Sequence, residues 1–101
     1  MEIIKKQTGE KVILALSGKL DSSTAVVLDD EINKILLTRK ISDLEIDMEN
    51  LSYLSSAGLR VLLAVQKEMN SLEGNLVITH VNETIHSVFE ITGFLGILKI
   101  V

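Results

Sequence analysis

The sequence predicts an α/β fold: a mixed sheet of four to five strands that opens with a β-hairpin and carries its helices mainly on one face. Three observations predict it. Leu44, Ile46 and Met48 alternate with Asp43, Glu45, Asp47 and Glu49, a period of two that makes a strand with one buried face. Directly downstream the period lengthens, with Gly58, Val61, Leu62, Val65, Met69 and Leu72 at helical spacing. The same exchange of periods along the chain gives the order β-β-α-β-α-β-α. Strands joined through helices then run parallel with right-handed crossovers, and the opening hairpin adds an antiparallel edge.

Residues 2 to 7 and 11 to 17 carry Ile3, Ile4, Val12, Ile13, Leu14 and Leu16 on either side of Thr8-Gly9-Glu10, which reads as two strands and a tight turn. Gly18-Lys19-Leu20-Asp21 breaks that pattern. Ser22-Ser23 offers caps for a helix with Ala25, Leu28, Ile32, Ile35 and Leu36 on one stripe and Asp29, Asp30, Asn33 and Lys34 on its wet face. The acid-alternating strand covers residues 43 to 49. Ser55-Ser56 then stands where a helix N-cap belongs, because a serine oxygen there accepts from an unpaired first-turn amide; this accounts for one serine and not for two. Glu73-Gly74-Asn75 ends the second helix, with glycine taking a positive φ. Leu76-Val77-Ile78-Thr79 is a further strand, and Asn82 caps a third helix with Ile85, Val88, Phe89 and Thr92 on one stripe, stopped at Gly93. Phe94, Leu95, Ile97 and Leu98 close the core, and Lys99-Ile100-Val101 is either a short fifth strand or ordered coil.

A chain of 101 residues makes one domain spanning 1–101. Its 47% hydrophobic content against 24% charged residues excludes disorder, and with only 3% aromatics the interior must be Leu, Ile and Val. A net charge of -4 disfavours nucleic acid and anionic membrane surfaces as partners. The absence of cysteine excludes disulfides and thiol catalysis, while His80 and His86 lack metal-ligand spacing and read as incidental surface or strand-end residues, so no metal site is expected. Met1 to Gln7 has no apolar signal core and no run approaches the roughly 18 apolar residues of a membrane span, so no membrane insertion and a cytoplasmic location are expected. A Gly-rich phosphate loop and a catalytic triad are both missing, which argues against a nucleotide hydrolase and for a non-enzymatic role.

Leu51-Ser52-Tyr53-Leu54-Ser55-Ser56-Ala57-Gly58-Leu59 resembles the phosphorylation motif of the STAS-domain anti-sigma factor antagonists, Asp-Ser-Ser/Thr/Ala-Gly-Leu after a hydrophobic approach. Ser56 falls on the family's phosphoacceptor, Gly58 on its glycine and Leu59 on its leucine. Ser55 falls on the aspartate, a departure that makes Ser55 the alternative acceptor. The resemblance extends over nearly the whole chain, through Gly18-Lys19-Leu20-Asp21 before the first long helix, the acidic strand end at Asp47, and Thr92-Gly93-Phe94 after the third helix. It implies the STAS fold and phosphorylation-controlled partner switching. In that scheme the unphosphorylated protein binds an anti-sigma factor serine kinase of the histidine-kinase-like ATPase fold, phosphorylation of Ser56 releases it, and a PP2C-type phosphatase resets the switch. ATP and magnesium belong to the kinase in that scheme, so this chain is expected to need no cofactor of its own. An output other than a sigma factor stays open: a response regulator, a biofilm or secretion pathway, or a lipid-transporter subunit. The state in solution is expected to be a monomer or weak dimer.

The resemblance also implies that Asp21 and Asp47 lie near the phosphoserine, where each would orient the hydroxyl or engage the kinase. Their ordinary roles, a pre-helix turn residue and strand-end solvation, use the same carboxylates. Asp21, Ser55, Gly58, Leu59 and Leu63 are the expected partner contacts. Leu59 and Leu63, one turn apart and off the main stripe, are placed on an exposed apolar ridge beside Ser56; a wider helix face would bury both.

Overall fold

The computed structural model describes residues 1–38 and 40–101. Strands β1 (Glu2–Thr8), β2 (Lys11–Leu20), β3 (Asp43–Leu54) and β4 (Asn75–Thr79) form one mixed sheet in the order β1-β2-β3-β4. Helices α1 (Ser22–Thr38), α2 (Ser56–Ser71) and α3 (Glu83–Thr92) follow β2, β3 and β4, and a short 3-10 turn spans Phe94–Gly96. β1 and β2 pair antiparallel as the hairpin; β2 with β3 and β3 with β4 pair parallel. The expected fifth strand is reduced to one parallel bridge, Ile78 with Ile100, held by the Ile78 amide donating to the Lys99 carbonyl and the Val101 amide to the Ile78 carbonyl, 2.9 Å each.

Register explains where the core lies. Val12, Leu44 and Leu76 stand side by side across the sheet, as do Leu14, Ile46 and Ile78, and all six are buried. Alternation puts the next residues on the other face, where Ile13, Ala15, Glu45, Asp47 and Val77 are only half-buried and Ile4 is exposed. The helices therefore cover one face and leave the other open. Ala25, Leu28, Ile32 and Ile35 of α1, Leu62, Val65 and Met69 of α2, and Ile85 and Phe89 of α3 complete a single aliphatic core.

Several boundaries differ from the sequence reading. β2 continues to Leu20, because Gly18 adopts a left-handed φ of +92° and absorbs a bulge that would otherwise end the pairing. β3 runs on past Glu49 to Leu54, its clean alternation giving way to a buried-exposed-exposed-buried rhythm after Met48. The left-handed residue after α2 is Glu73, at φ 58°, and not Gly74. Gly74 instead sits in close quarters: a Cβ there would meet Met69 Cε at 2.7 Å and the Ser42 carbonyl oxygen at 3.1 Å. Leu72, Leu95, Ile97 and Thr92 are exposed, so of the C-terminal apolar group only Leu98 is buried, with Phe94 packing at the core's edge. Gly93 does end α3, at φ 80°.

Candidate partner-binding and phosphorylation site

β2 and β3 finish level with each other. Leu20 pairs with Leu54, and the Ser55 amide donates to the Leu20 carbonyl at 2.9 Å, so Asp21 and Ser55, the next residue on each strand, begin α1 and α2 side by side. The cap of α1 is Asp21, not Ser22 or Ser23. Its Oδ1 accepts from the amides of Ser23 and Thr24, 3.0 Å each, while the Asp21 amide donates to Thr24 Oγ1 at 2.8 Å, a reciprocal pair that satisfies first-turn donors. The hydroxyls of Ser23 and Thr24 donate to the same oxygen at 2.8 and 3.1 Å. The Thr24 amide first, then the Ser23 hydroxyl, favour the ionised carboxylate and lower its pKa from 3.8 to about 2. Asp21 is thus a fixed negative charge at the helix start, occupied by its own helix.

The two serines divide the work that sequence alone left unassigned. Ser55 is the N-cap of α2: with extended backbone (φ -93°, ψ 170°) it is half-buried, and its Oγ accepts from the Gly58 amide at 3.2 Å. Ser56 is the first residue inside the helix. It is exposed, and among the described residues no hydrogen bond engages its hydroxyl. Because the cap is already supplied one residue upstream, Ser56 Oγ has no structural duty.

Gly58 and Leu59 are expected partner contacts that the structure moves inside. Gly58 is buried, and a Cβ on it would lie 2.8 Å from Leu20 Cγ and 2.9 Å from Leu54 Cδ1, so the glycine lets α2 sit close on the ends of β2 and β3. Leu59 is 5% exposed and belongs to the core, which overturns the exposed ridge; Leu63 is half-buried. The buried face of α2 is wide enough to take Leu59 with Leu62, as a helix seated on a sheet allows. Apolar groups that do reach solvent near the two helix starts are Val26 (60% exposed) and Val27 (54%) in the second turn of α1 and Tyr53 (49%) just before the cap. No sequence period marked them; the broken rhythm of β3 after Met48 is the one signal that Tyr53 turns outward.

Asp47 is not brought to Ser56. Its side chain lies on the open sheet face, where Oδ1 is 3.0 Å from His80 Nδ1 and accepts from the Glu49 amide at 3.0 Å. That gives His80 a specific partner, against its reading as incidental, and only the β3–β4 register could have revealed the pairing. The clefts between α1 and α2, lined by Asp29, Leu36 and Ala64, and at the opposite edge of the sheet, lined by Glu10, Ile41 and Leu72, both leave out the serine pair. Ser56 stands on open surface, outside both clefts.

Comparison with known proteins agrees with this geometry. An anti-sigma factor antagonist from Bordetella bronchiseptica, BtrV, is 32% identical over 100 residues, covering 99% of this chain and 85% of that one. The solved anti-sigma factor antagonist SpoIIAA superposes with a TM-score of 0.87 in its unphosphorylated form, at 20% identity over 99% of this chain and 88% of that one. The phosphorylated form of the Bacillus cell fate determinant SpoIIAA gives 0.78, at 20% identity over 99% and 91%. Residues 3–99 match the family described as Mlab, STAS domain. With that match, the mixed four-stranded sheet and the Bordetella relative together, the chain belongs to the STAS-domain family of anti-sigma factor antagonists.

Proposed function

We propose that this protein is a non-enzymatic partner switch: unphosphorylated, it binds an anti-sigma factor serine kinase, and phosphorylation of Ser56 by that kinase releases it. A PP2C-type phosphatase returns it to the binding form. The single observation that carries the reading is the division of labour between the serines, with Ser55 engaged as the cap and Ser56 exposed, its hydroxyl engaged by no hydrogen bond among the described residues. A phosphate on Ser56 would stand at a helix N-terminus, where unpaired amides and the macrodipole favour an anion, so the fold tolerates it. A phosphate on Ser55 would displace the cap from the Gly58 amide, which makes Ser55 the poorer acceptor.

The same phosphate adds about −1.5 to −2 charges to a surface that a partner must desolvate. Val26, Val27 and Tyr53 supply the apolar contact area around it. The test is capture of the partner from the protein's own cells followed by labelling with the recovered kinase, ATP and magnesium. The expected result is one phosphate, located on Ser56 by peptide mass spectrometry and absent from Ser56→Ala. Label on Ser55, or retained label in Ser56→Ala, overturns the residue assignment. Recovery of a transporter ATPase or a response regulator, with no serine kinase, overturns the sigma-factor output.

A further inference from the structure

We propose that the protein self-associates through the outer edge of β1, two copies pairing antiparallel about a two-fold axis at Ile4 so that their sheets join into one. The sheet has two edges, and the chain covers only one of them. Along β4 the C-terminal tail meets the edge, with Ile78 bonded to Lys99 and Val101 at 2.9 Å each. Along β1 no strand pairs with the outer edge among the described residues, and every residue from Glu2 to Thr8 except Ile3 is exposed. Lys5 stands beside Leu14 on the helix-bearing side and is still exposed, so no helix overhangs the middle of this edge.

The hairpin decides which backbone groups are on offer. Thr8 and Lys11 close a two-residue turn whose first central residue, Gly9, has a φ of 61°, and such a turn ends on a hydrogen-bonded pair. Bonded and non-bonded pairs then alternate, so the amides and carbonyls of Glu2, Ile4 and Lys6 face β2 while those of Ile3 and Lys5 face out. A second copy can bond to them only where its own outward residues stand opposite. Laying Ile3 against Lys5 of the second copy does this and, by symmetry, does it at both ends of the contact, for about four backbone hydrogen bonds.

The side chains complement each other in that same register. Ile4 meets its own copy, and Glu2 meets Lys6 of the second copy on both sides of the axis, all at the non-hydrogen-bonded positions where side chains come closest. Sliding the copies by two residues one way sets Lys5 against its own copy, and sliding them the other way sets Glu2 against Ile4. Lysines that ordinarily blunt an edge strand here select one pairing of it. A single edge-strand contact falls at the low end of interface sizes, so the dimer is weak and depends on concentration. The contact leaves out Ser55 and Ser56, which follow β3 on the far side of β2.

The test is sedimentation equilibrium of the full chain from about 10 μM to about 1 mM, where the average mass should rise from one chain toward two. Glu2→Lys and Lys6→Glu, both at exposed positions, each set like charges opposite at both ends of the contact and should weaken association at least about tenfold. Their equimolar mixture should recover it, because one variant then carries lysine at both positions and the other glutamate at both; misfolded variants could not do this. Ile4→Cys places a thiol in a chain that has no cysteine, and opposed Cα atoms about 4.5 Å apart are within disulfide reach. Oxidation should therefore cross-link Ile4→Cys faster than Leu37→Cys, a site 86% exposed on α1. A monomer at every concentration, association unchanged by either charge variant, a mixture that stays monomeric, or Ile4→Cys cross-linking no faster than Leu37→Cys each overturns the proposal.

Discussion

The Ser55 hydroxyl accepts from the Gly58 amide across 3.2 Å, and among the described residues no hydrogen bond engages the hydroxyl of its neighbour Ser56. Ser55→Ala removes the cap and should cost about 1 kcal/mol, within the usual range for such caps, while Ser56 remains a substrate for the kinase. Urea titration measures the first and mass spectrometry the second. Loss of labelling without loss of stability would reverse the two serines' roles.

Leu59→Asp should unfold the protein or come close to it. Leu59 is 5% exposed, so the substitution places an unpaired carboxylate in an aliphatic core and empties a leucine's volume, together about 3–5 kcal/mol. A thermal melt followed by circular dichroism checks it. A melting temperature near wild type with selective loss of partner binding would restore the exposed ridge.

Stability should fall at acid pH in a window set partly by Asp21. Its folded pKa, about 2, lies below the ordinary value of 3.8, so the unfolded chain takes up a proton first as pH drops. The contribution is whole above pH 3.8 and is lost as pH falls toward about 2. Asp21→Asn keeps a good cap without the charge. The stability difference between wild type and Asp21→Asn, measured by urea unfolding from pH 7 to 2, should be flat at neutral pH and shrink only in that window. A difference that changes instead between pH 7 and 5 would assign the effect to another group.

Phosphorylating Ser56 should abolish partner binding with little change in the free protein's backbone. An unpaired interfacial phosphate costing about 3 to 4 kcal/mol weakens affinity by roughly a few hundredfold, enough to switch off a micromolar complex. Ser56→Asp should do so only in part, since a carboxylate carries less charge and fewer acceptor oxygens. Amide shifts of the two forms should differ in the first turn of α2, the Gly18 to Ser23 stretch and the end of β3. Shifts spread through Ile85 to Phe94 would indicate a global rearrangement.

Local pattern carried the fold because each element announces itself within a few residues: the acids of β3 alternate, α1 keeps its stripe, and Asn82 and Gly93 bracket α3. The serine motif was legible for the same reason. What sequence could not supply depends on distant neighbours. Leu59 sits at the margin of its stripe, and whether that margin is covered is decided by how closely Gly58 lets α2 approach Leu20 and Leu54. Leu95 and Ile97 are as apolar as Leu98 but stay partly in solvent, at 39% and 51% exposed. His80 meets Asp47 only through a register linking residues 33 positions apart.

The bulges opposite Gly18 also act as a ruler. From Lys11 to Leu20 is nine steps along β2, and from Asp43 to Leu54 is eleven along β3, yet both pairs of ends are in register. The longer strand spends its extra two residues between Asp47 and Tyr53, where exposed Glu49, Asn50 and Ser52 alternate with the buried anchors Met48 and Leu51, so the height at which Ser56 emerges beside Asp21 is set by chain count in this stretch. Insertion or removal of a single residue there would move the acceptor out of line with its neighbouring helix start while leaving the core of Val12, Leu14, Leu44 and Ile46 untouched. Changes of length in this stretch would shift Ser56 against the start of α1, whatever the side chains at Glu49, Asn50 and Ser52.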